Sequence, residues 1–205
     1  MDTNNQRQFA SRISGGNSAT GRRAGDFYPT PPEVTVALLN YLNMPHHSIV
    51  WECACGTGDM ARVIKEAGYE TISSDIANTG YGIPGADFLT YEPGEFDWII
   101  TNPPFSIAEK FILRAWDSGK PFAFLLKAQF WNAARRIPLF EDCPPSHVLP
   151  LTWRPDFTGA GGALMDMTWV VWRYGTGERT NFNILKKPEL NTKKEREYAR
   201  YNPVF

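Results

Sequence analysis

The sequence predicts a doubly wound α/β domain, with a mostly parallel seven-stranded sheet, helices on both faces and a C-terminal antiparallel hairpin. Three observations predict it. Short apolar runs alternate with helix-period stretches through most of the 205 residues. The first run passes through a glycine-bearing turn directly into a helix start. The last two runs are separated by a loop alone, which suits an antiparallel pair.

Residues 1–25 lack apolar periodicity and read as a flexible basic arm. One folded domain is expected over 26–175 and a basic tail over 176–205. Thr30 can cap a first helix, with Pro31 at its first position and Glu33 at capping-box spacing. Val34, Leu38, Leu39 and Leu42 share one face of that helix, which ends near Met44 and Pro45. Strands follow at 49–52, 71–76, 96–101, 122–127, 148–153 and 167–172, with a weaker one at 83–88. Helices are expected at 60–67 and 106–116. The second opens on Ser106 and Glu109, again at capping-box spacing, and buries Phe111, Ile112 and Ala115. No internal repeat interrupts this order.

Hydrophobic content of 42% and charged content of 21% are ordinary for a soluble globular chain. No apolar run approaches about 18 residues, so no membrane span is expected. The polar N-terminus has no apolar leader, and a cytoplasmic location follows as an expectation. Cys53, Cys55 and Cys143 form no C-x-x-C pair, which favours reduced thiols and no structural zinc. The net charge of −1 divides unevenly: +3 over residues 1–25, +4 over 173–205 and −8 between. Basic arms on an acidic body can neutralise phosphates, or they can be solvated tails.

The segment from Ile49 to Ala61 is a strand, a turn with Gly56 and Gly58, and a helix start. Glycine there permits a tight turn and close approach of backbone to a ligand. A dinucleotide site fits poorly. The third glycine of G-x-G-x-x-G is missing, and Asp59 sits where a pyrophosphate needs positive potential. A cofactor carrying an ammonium and a sulfonium tolerates acids better. Glu52, Asp75 and Asp87 fall at successive strand ends, facing the crevice of such a fold. Asp75 suits ribose hydroxyls, while Asp87 and Phe88 suit an adenine ring.

The most specific segment is Asn102-Pro103-Pro104-Phe105, at the end of an apolar strand. Two prolines fix the turn and leave carbonyls without competing N–H groups. Asn102 adds an acceptor and two donors, and Phe105 an aromatic face. A rigid strand-to-helix turn alone would not require the amide and the ring.

Taken with Asp26-Phe27-Tyr28-Pro29-Thr30-Pro31, the Glu52–Gly58 turn, Asp75 and Asp87-Phe88, this series resembles the DNA N6-adenine methyltransferases, most closely their compact bacterial and bacteriophage members. The resemblance covers roughly residues 26–130. It implies a Rossmann-like class I methyltransferase fold and S-adenosyl-L-methionine as cofactor. Phe27, Tyr28, Pro29, Thr30 and Pro31 would close over the methionine end, and Glu52, Cys53, Ala54, Cys55, Gly56 and Gly58 would wrap its amino-acid part. Asp75 and Ile76 would take the ribose side, Asp87 and Phe88 the adenine, and Asn102 would border both cofactor and target. The asparagine form of the tetrapeptide points to adenine rather than cytosine. Cys53 departs from the proline common among relatives. No segment is long enough for the recognition domain of sequence-specific members, so short or relaxed specificity is expected.

Adenine N6 is a poor nucleophile because its lone pair is delocalised into the ring. Acceptors on its hydrogens, the Asn102 side-chain oxygen and the Pro103 carbonyl, would offset the charge that grows as N6 attacks a methyl. Phe105 would stack on the base for about 1–3 kcal/mol. A duplex hides N6, so DNA is expected as partner with the adenine flipped out. Lys127, Gln129, Phe130, Trp131, Arg135, Arg136 and Arg154 are candidate nucleic-acid contacts, although the aromatics could equally pack in the core. Competing readings are adenine in RNA or a protein glutamine amide as target, a nucleic-acid-binding module on a decayed fold, and a nicotinamide oxidoreductase. No catalytic metal is expected.

Overall fold

The structure, a computed structural model, describes residues 28–158, 165–174 and 179–190. The N-terminal arm with Phe27, the glycines of 159–162 and the basic residues beyond 190 lie outside the described residues. In chain order the elements are α1 (Pro32–Leu42), β1 (Ile49–Glu52), α2 (Asp59–Glu66), β2 (Glu70–Asp75), β3 (Ile83–Pro84), β4 (Trp98–Thr101), α3 (Ala108–Asp117), β5 (Phe122–Lys127), α4 (Ile137–Asp142), β6 (His147–Pro150), β7 (Met167–Trp172) and β8 (Asn181–Phe182).

All eight described strands form one sheet in the order β3-β2-β1-β4-β5-β7-β6-β8. Pairing is parallel except around β7, which runs antiparallel to both β5 and β6. Strand order reverses between β1 and β4, and there the crossover helices leave opposite faces and open a crevice at the carboxyl ends. The expected antiparallel pair of the last two runs is present as β6 and β7, with β7 lying between β5 and β6. An eighth strand, unanticipated, pairs parallel to β6.

Period-two burial explains the two faces. Val50, Trp98, Ile100, Ala123, Leu125, Trp169 and Val171 join α1 and α2 in one core. Their neighbours Trp51, Ile99, Phe122, Phe124, Val170 and Trp172 join α3 and α4 in the other. Two fully buried indoles of the sheet have their N–H groups satisfied, as burial demands. Trp169 Nε1 donates to the Val34 carbonyl at 3.0 Å, tying the sheet to α1, and Trp172 Nε1 donates to that of Cys143 at 2.9 Å.

Both expected capping boxes are absent. Pro31 is the N-cap of α1 and Pro32 its first residue, with no side-chain cap. Thr30 is buried and serves elsewhere, and Glu33 pairs with Lys187 at 3.7 Å. A 3-10 turn at Phe105–Ile107 delays α3 to Ala108, and Glu109 faces two arginines instead of a cap. Thr30 and Glu109 bond across the fold instead, Thr30 to Asn102 and Glu109 to Arg135 and Arg136. Among the described residues no helix is long and apolar enough to cross a membrane.

Candidate active site

β1 delivers Glu52 to the crevice, and the chain then turns through Cys53 and Ala54 into α2. Gly56 (φ +50°) and Gly58 (φ +83°) hold left-handed conformations that a side chain would strain. Gly58 is constrained twice, because a Cβ there would lie 2.5 Å from Cε1 of Tyr81. The loop after β2 returns over this turn. Asp75 accepts the Gly56 and Ala77 N–H groups, each at 2.8 Å, and the Thr79 hydroxyl donates to the Gly56 carbonyl. Each Asp75 oxygen keeps a lone pair for a further donor.

A cleft of about 260 Å³ opens at this edge. Of the expected cofactor residues, Tyr28, Pro29, Thr30, Glu52, Cys53, Ala54, Cys55, Asp75, Ile76, Asp87, Phe88 and Asn102 line it, and Pro104 of the tetrapeptide adjoins them. Pro31, Gly56 and Gly58 shape the backbone without lining the cleft. Sequence reading missed Met60, Ala77, Thr79, Ala86, Ile107 and Phe111 as lining residues. Phe111 carried a helix-core signal that hid its second exposure to the cleft; for Tyr81, no local pattern marks its position over the glycine turn.

Four acids, Glu52, Asp59, Asp75 and Asp87, line the cleft, and none of its described lining residues is basic. Glu52 is almost fully buried and its Oε2 has no hydrogen-bond partner. Burial first, then the charges of Asp59 and Asp75, holds its carboxyl well above the usual range. Burial and Glu52 likewise push the Cys55 thiol up to about 12 and raise that of Cys53, so neither is a thiolate nucleophile. Ile76, 68% exposed at the rim, is an apolar surface without a protein partner for most of its area.

β4 ends at Asn102. Its Nδ2 donates to the Tyr28 carbonyl and to Thr30 Oγ1, while Oδ1 is buried without a partner. Phe105 stacks on Tyr28 at 5.8 Å and 29°, and Lys127 Nζ sits 4.3 Å from its centroid. Phe157 is buried and packs edge-on to Tyr28.

A smaller cleft of about 140 Å³ lies beside Phe105, bounded by Lys127, Gln129, Phe130 and Arg136 among others. The expected nucleic-acid residues are thus partly gathered. Arg136 is committed inward: Nε meets Glu109 at 2.8 Å, one terminal nitrogen donates to the Phe130 carbonyl, and the guanidinium covers the Phe130 ring. Burial opposes the Glu109 carboxylate, yet bonds from Arg136 and Arg135 hold its pKa below the usual value. Arg135 remains largely exposed, Trp131 packs on Phe140, and Arg154 pairs with Asp166.

No family model matches the chain. It is 35% identical over 100 residues to a type II methyltransferase, M.TthHB8I of Thermus thermophilus, a match covering 44% of this chain and 23% of that protein. The RNA methyltransferase PH1948 of Pyrococcus horikoshii, so described provisionally, superposes with a TM-score of 0.59 at 16% identity, over 83% of this chain and 99% of that one. A modification subunit of a type I restriction enzyme from Vibrio vulnificus gives 0.60 at 14%, over 89% and 51%. The chain has a Rossmann-like methyltransferase fold. Within this methyltransferase fold the cleft occupies the crevice between β1 and β4, and the Asn102 turn forms its far wall. The chain spans under a quarter of the type II methyltransferase's length.

Proposed function

We propose that the protein uses S-adenosyl-L-methionine to methylate N6 of adenine in DNA, by direct transfer to a flipped-out base. The observation that carries this reading is the pair of buried acceptors without partners, Glu52 Oε2 and Asn102 Oδ1, in one acid-lined cleft. Buried orphan acceptors are costly, about 1–3 kcal/mol each, and a ligand bearing N–H donors and positive charge relieves them. S-adenosyl-L-methionine is such a ligand, whereas a pyrophosphate cofactor would meet four acids and no basic side chain among the described lining residues.

When bound, this cofactor supplies an activated methyl group. Glu52 and its neighbouring acids favour the cationic end, Asp75 accepts from the ribose, and Ile76 and Phe88 offer apolar surface to the adenine. Asn102 Oδ1 accepts a hydrogen of the target amine and offsets the charge developing on N6. Phe105 stacks on the displaced base once Lys127 has moved off the ring, and the lysine can then meet a phosphate. Flipping costs a few kcal/mol, which the stack and the amide contact offset. Support for DNA comes from the Asn102–Phe105 segment, the type II methyltransferase relative and the restriction-modification neighbour.

Methyl transfer from labelled S-adenosyl-L-methionine to unmethylated duplex DNA, followed by nucleoside digestion, tests it. N6-methyladenine is the expected product. Tight cofactor binding with label entering only RNA or protein glutamine would replace the substrate and keep the cofactor.

A further inference from the structure

The amide of Asn102 can be seated in one orientation alone. Its Nδ2 lies 3.3 Å from the Tyr28 carbonyl oxygen and 3.2 Å from Thr30 Oγ1. A carbonyl oxygen only accepts, so the group facing Tyr28 is the NH2, and Oδ1 is turned the other way. Two acceptors take both Nδ2 hydrogens, which leaves the oxygen as the amide's remaining capacity. That oxygen is buried and has no partner. Both clamps come from one short stretch ahead of α1, 72 and 74 residues away in sequence. Thr30 is 5% exposed and caps no helix, so its hydroxyl is not required by α1.

Resting on the proposed reaction, we infer that Thr30 is a positioning residue, whose hydroxyl holds the Asn102 amide with its oxygen toward the reaction centre. The device also selects the target. An amide fixed in this sense meets a group that brings N–H hydrogens, and it repels a ring nitrogen or carbonyl that offers only a lone pair. The Tyr28 carbonyl by itself would anchor one hydrogen and leave the amide able to pivot about that bond. The catalytic acceptor is thereby coupled to the segment that forms the cofactor's wall.

The full chain is compared with Thr30→Val, which keeps the shape and removes the hydroxyl, and Thr30→Ser, which keeps it; Thr30→Ala replaces the valine variant should that one not fold. Thr30→Val should lower kcat on DNA on the order of 10–100-fold, as misplaced catalytic groups do, a larger factor than any loss of cofactor affinity, with Tm nearly unchanged and activity regained in Thr30→Ser. Loss of affinity, Tm and kcat together, equally in both variants, would mean a merely structural role and overturn the inference. A second readout needs no substrate. The side-chain amide signals of Asn102, identified in 15N spectra by their loss in Asn102→Ala, should exchange with water faster in Thr30→Val and not in Thr30→Ser. Unchanged exchange in Thr30→Val would sink the inference whatever the substrate. Faster exchange in a protein that transfers no methyl to DNA adenine would leave the inference standing and remove the DNA reading.

Discussion

The ring of Tyr81 lies against Gly58, in the space where a side chain at position 58 would begin. Tyr81 is itself held by Arg62, whose guanidinium is 4.7 Å from its centroid, and by Lys65 Nζ, 3.5 Å from its hydroxyl. The glycine turn and the loop after β2 are therefore packed as one unit. Gly58→Ala meets both the ring and a φ of +83°, and overpacking of this kind costs about 1–3 kcal/mol. Lower Tm and weaker S-adenosyl-L-methionine binding are expected together, read by thermal melting and calorimetry. If strain from the ring dominates, adding Tyr81→Ala should recover part of the loss.

Asn102→Ala removes the acceptor at the reacting nitrogen. Turnover should fall by about 10²–10³, the cost of one preorganised hydrogen-bonding group, while cofactor affinity stays close to that of the unaltered chain. Single-turnover methyl transfer alongside calorimetry checks both halves, and near-normal turnover would remove Asn102 from the mechanism.

Glu52 links cofactor binding to pH. Its folded carboxyl is held well above the usual range by burial and then by Asp59 and Asp75, against the Ala61 N–H and Arg62. Between the ordinary carboxyl pKa of about 4.3 and the raised folded value, the unfolded chain has lost the proton and the folded chain keeps it. The contribution of Glu52 to stability without cofactor is therefore greatest below the lower value and is lost as pH rises through the upper one. Glu52→Gln should flatten that slope in Tm measured from pH 4 to 8. A cationic ligand favours the ionised form, so its affinity should rise with pH in the unaltered chain and respond less in Glu52→Gln. Parallel Tm profiles for the two proteins would refute the account.

Arg135 and Arg136 are adjacent and should behave differently. Arg136 is mostly buried, bonded to Glu109 and to the Phe130 carbonyl. Its loss in Arg136→Ala strips charge-assisted bonds, with a destabilisation of about 1–3 kcal/mol expected. The Arg135 side chain is 72% exposed, and exposed pairs are worth less than about 1 kcal/mol. Arg135→Ala should leave Tm nearly unchanged and weaken DNA retention with a shallower salt dependence. Equal Tm losses would show that the two share one structural role.

The alternation of apolar runs and helices was enough to predict a doubly wound sheet, because strand and helix periods are local properties of the chain. β1, β5 and β7 fall at the expected residues, and Glu52, Asp75 and Asn102 sit at strand ends that line one crevice. Strand ends cluster in this topology whatever the loops do, which is why the acids and the Asn102 turn could be grouped from spacing alone. The partners were not available from spacing. Thr30 reads as a cap yet bonds an amide 72 residues away, Glu109 reads as a cap yet binds Arg135 and Arg136, and Arg136 reads as a DNA contact yet faces inward. β8 and the placement of β7 between β5 and β6 likewise escaped notice. Local bonds and tertiary bonds draw on the same donors and acceptors, and burial strengthens the tertiary ones. Sequence thus determined which groups reach the crevice, and the folded chain decided which of their atoms remain unpaired to meet a ligand.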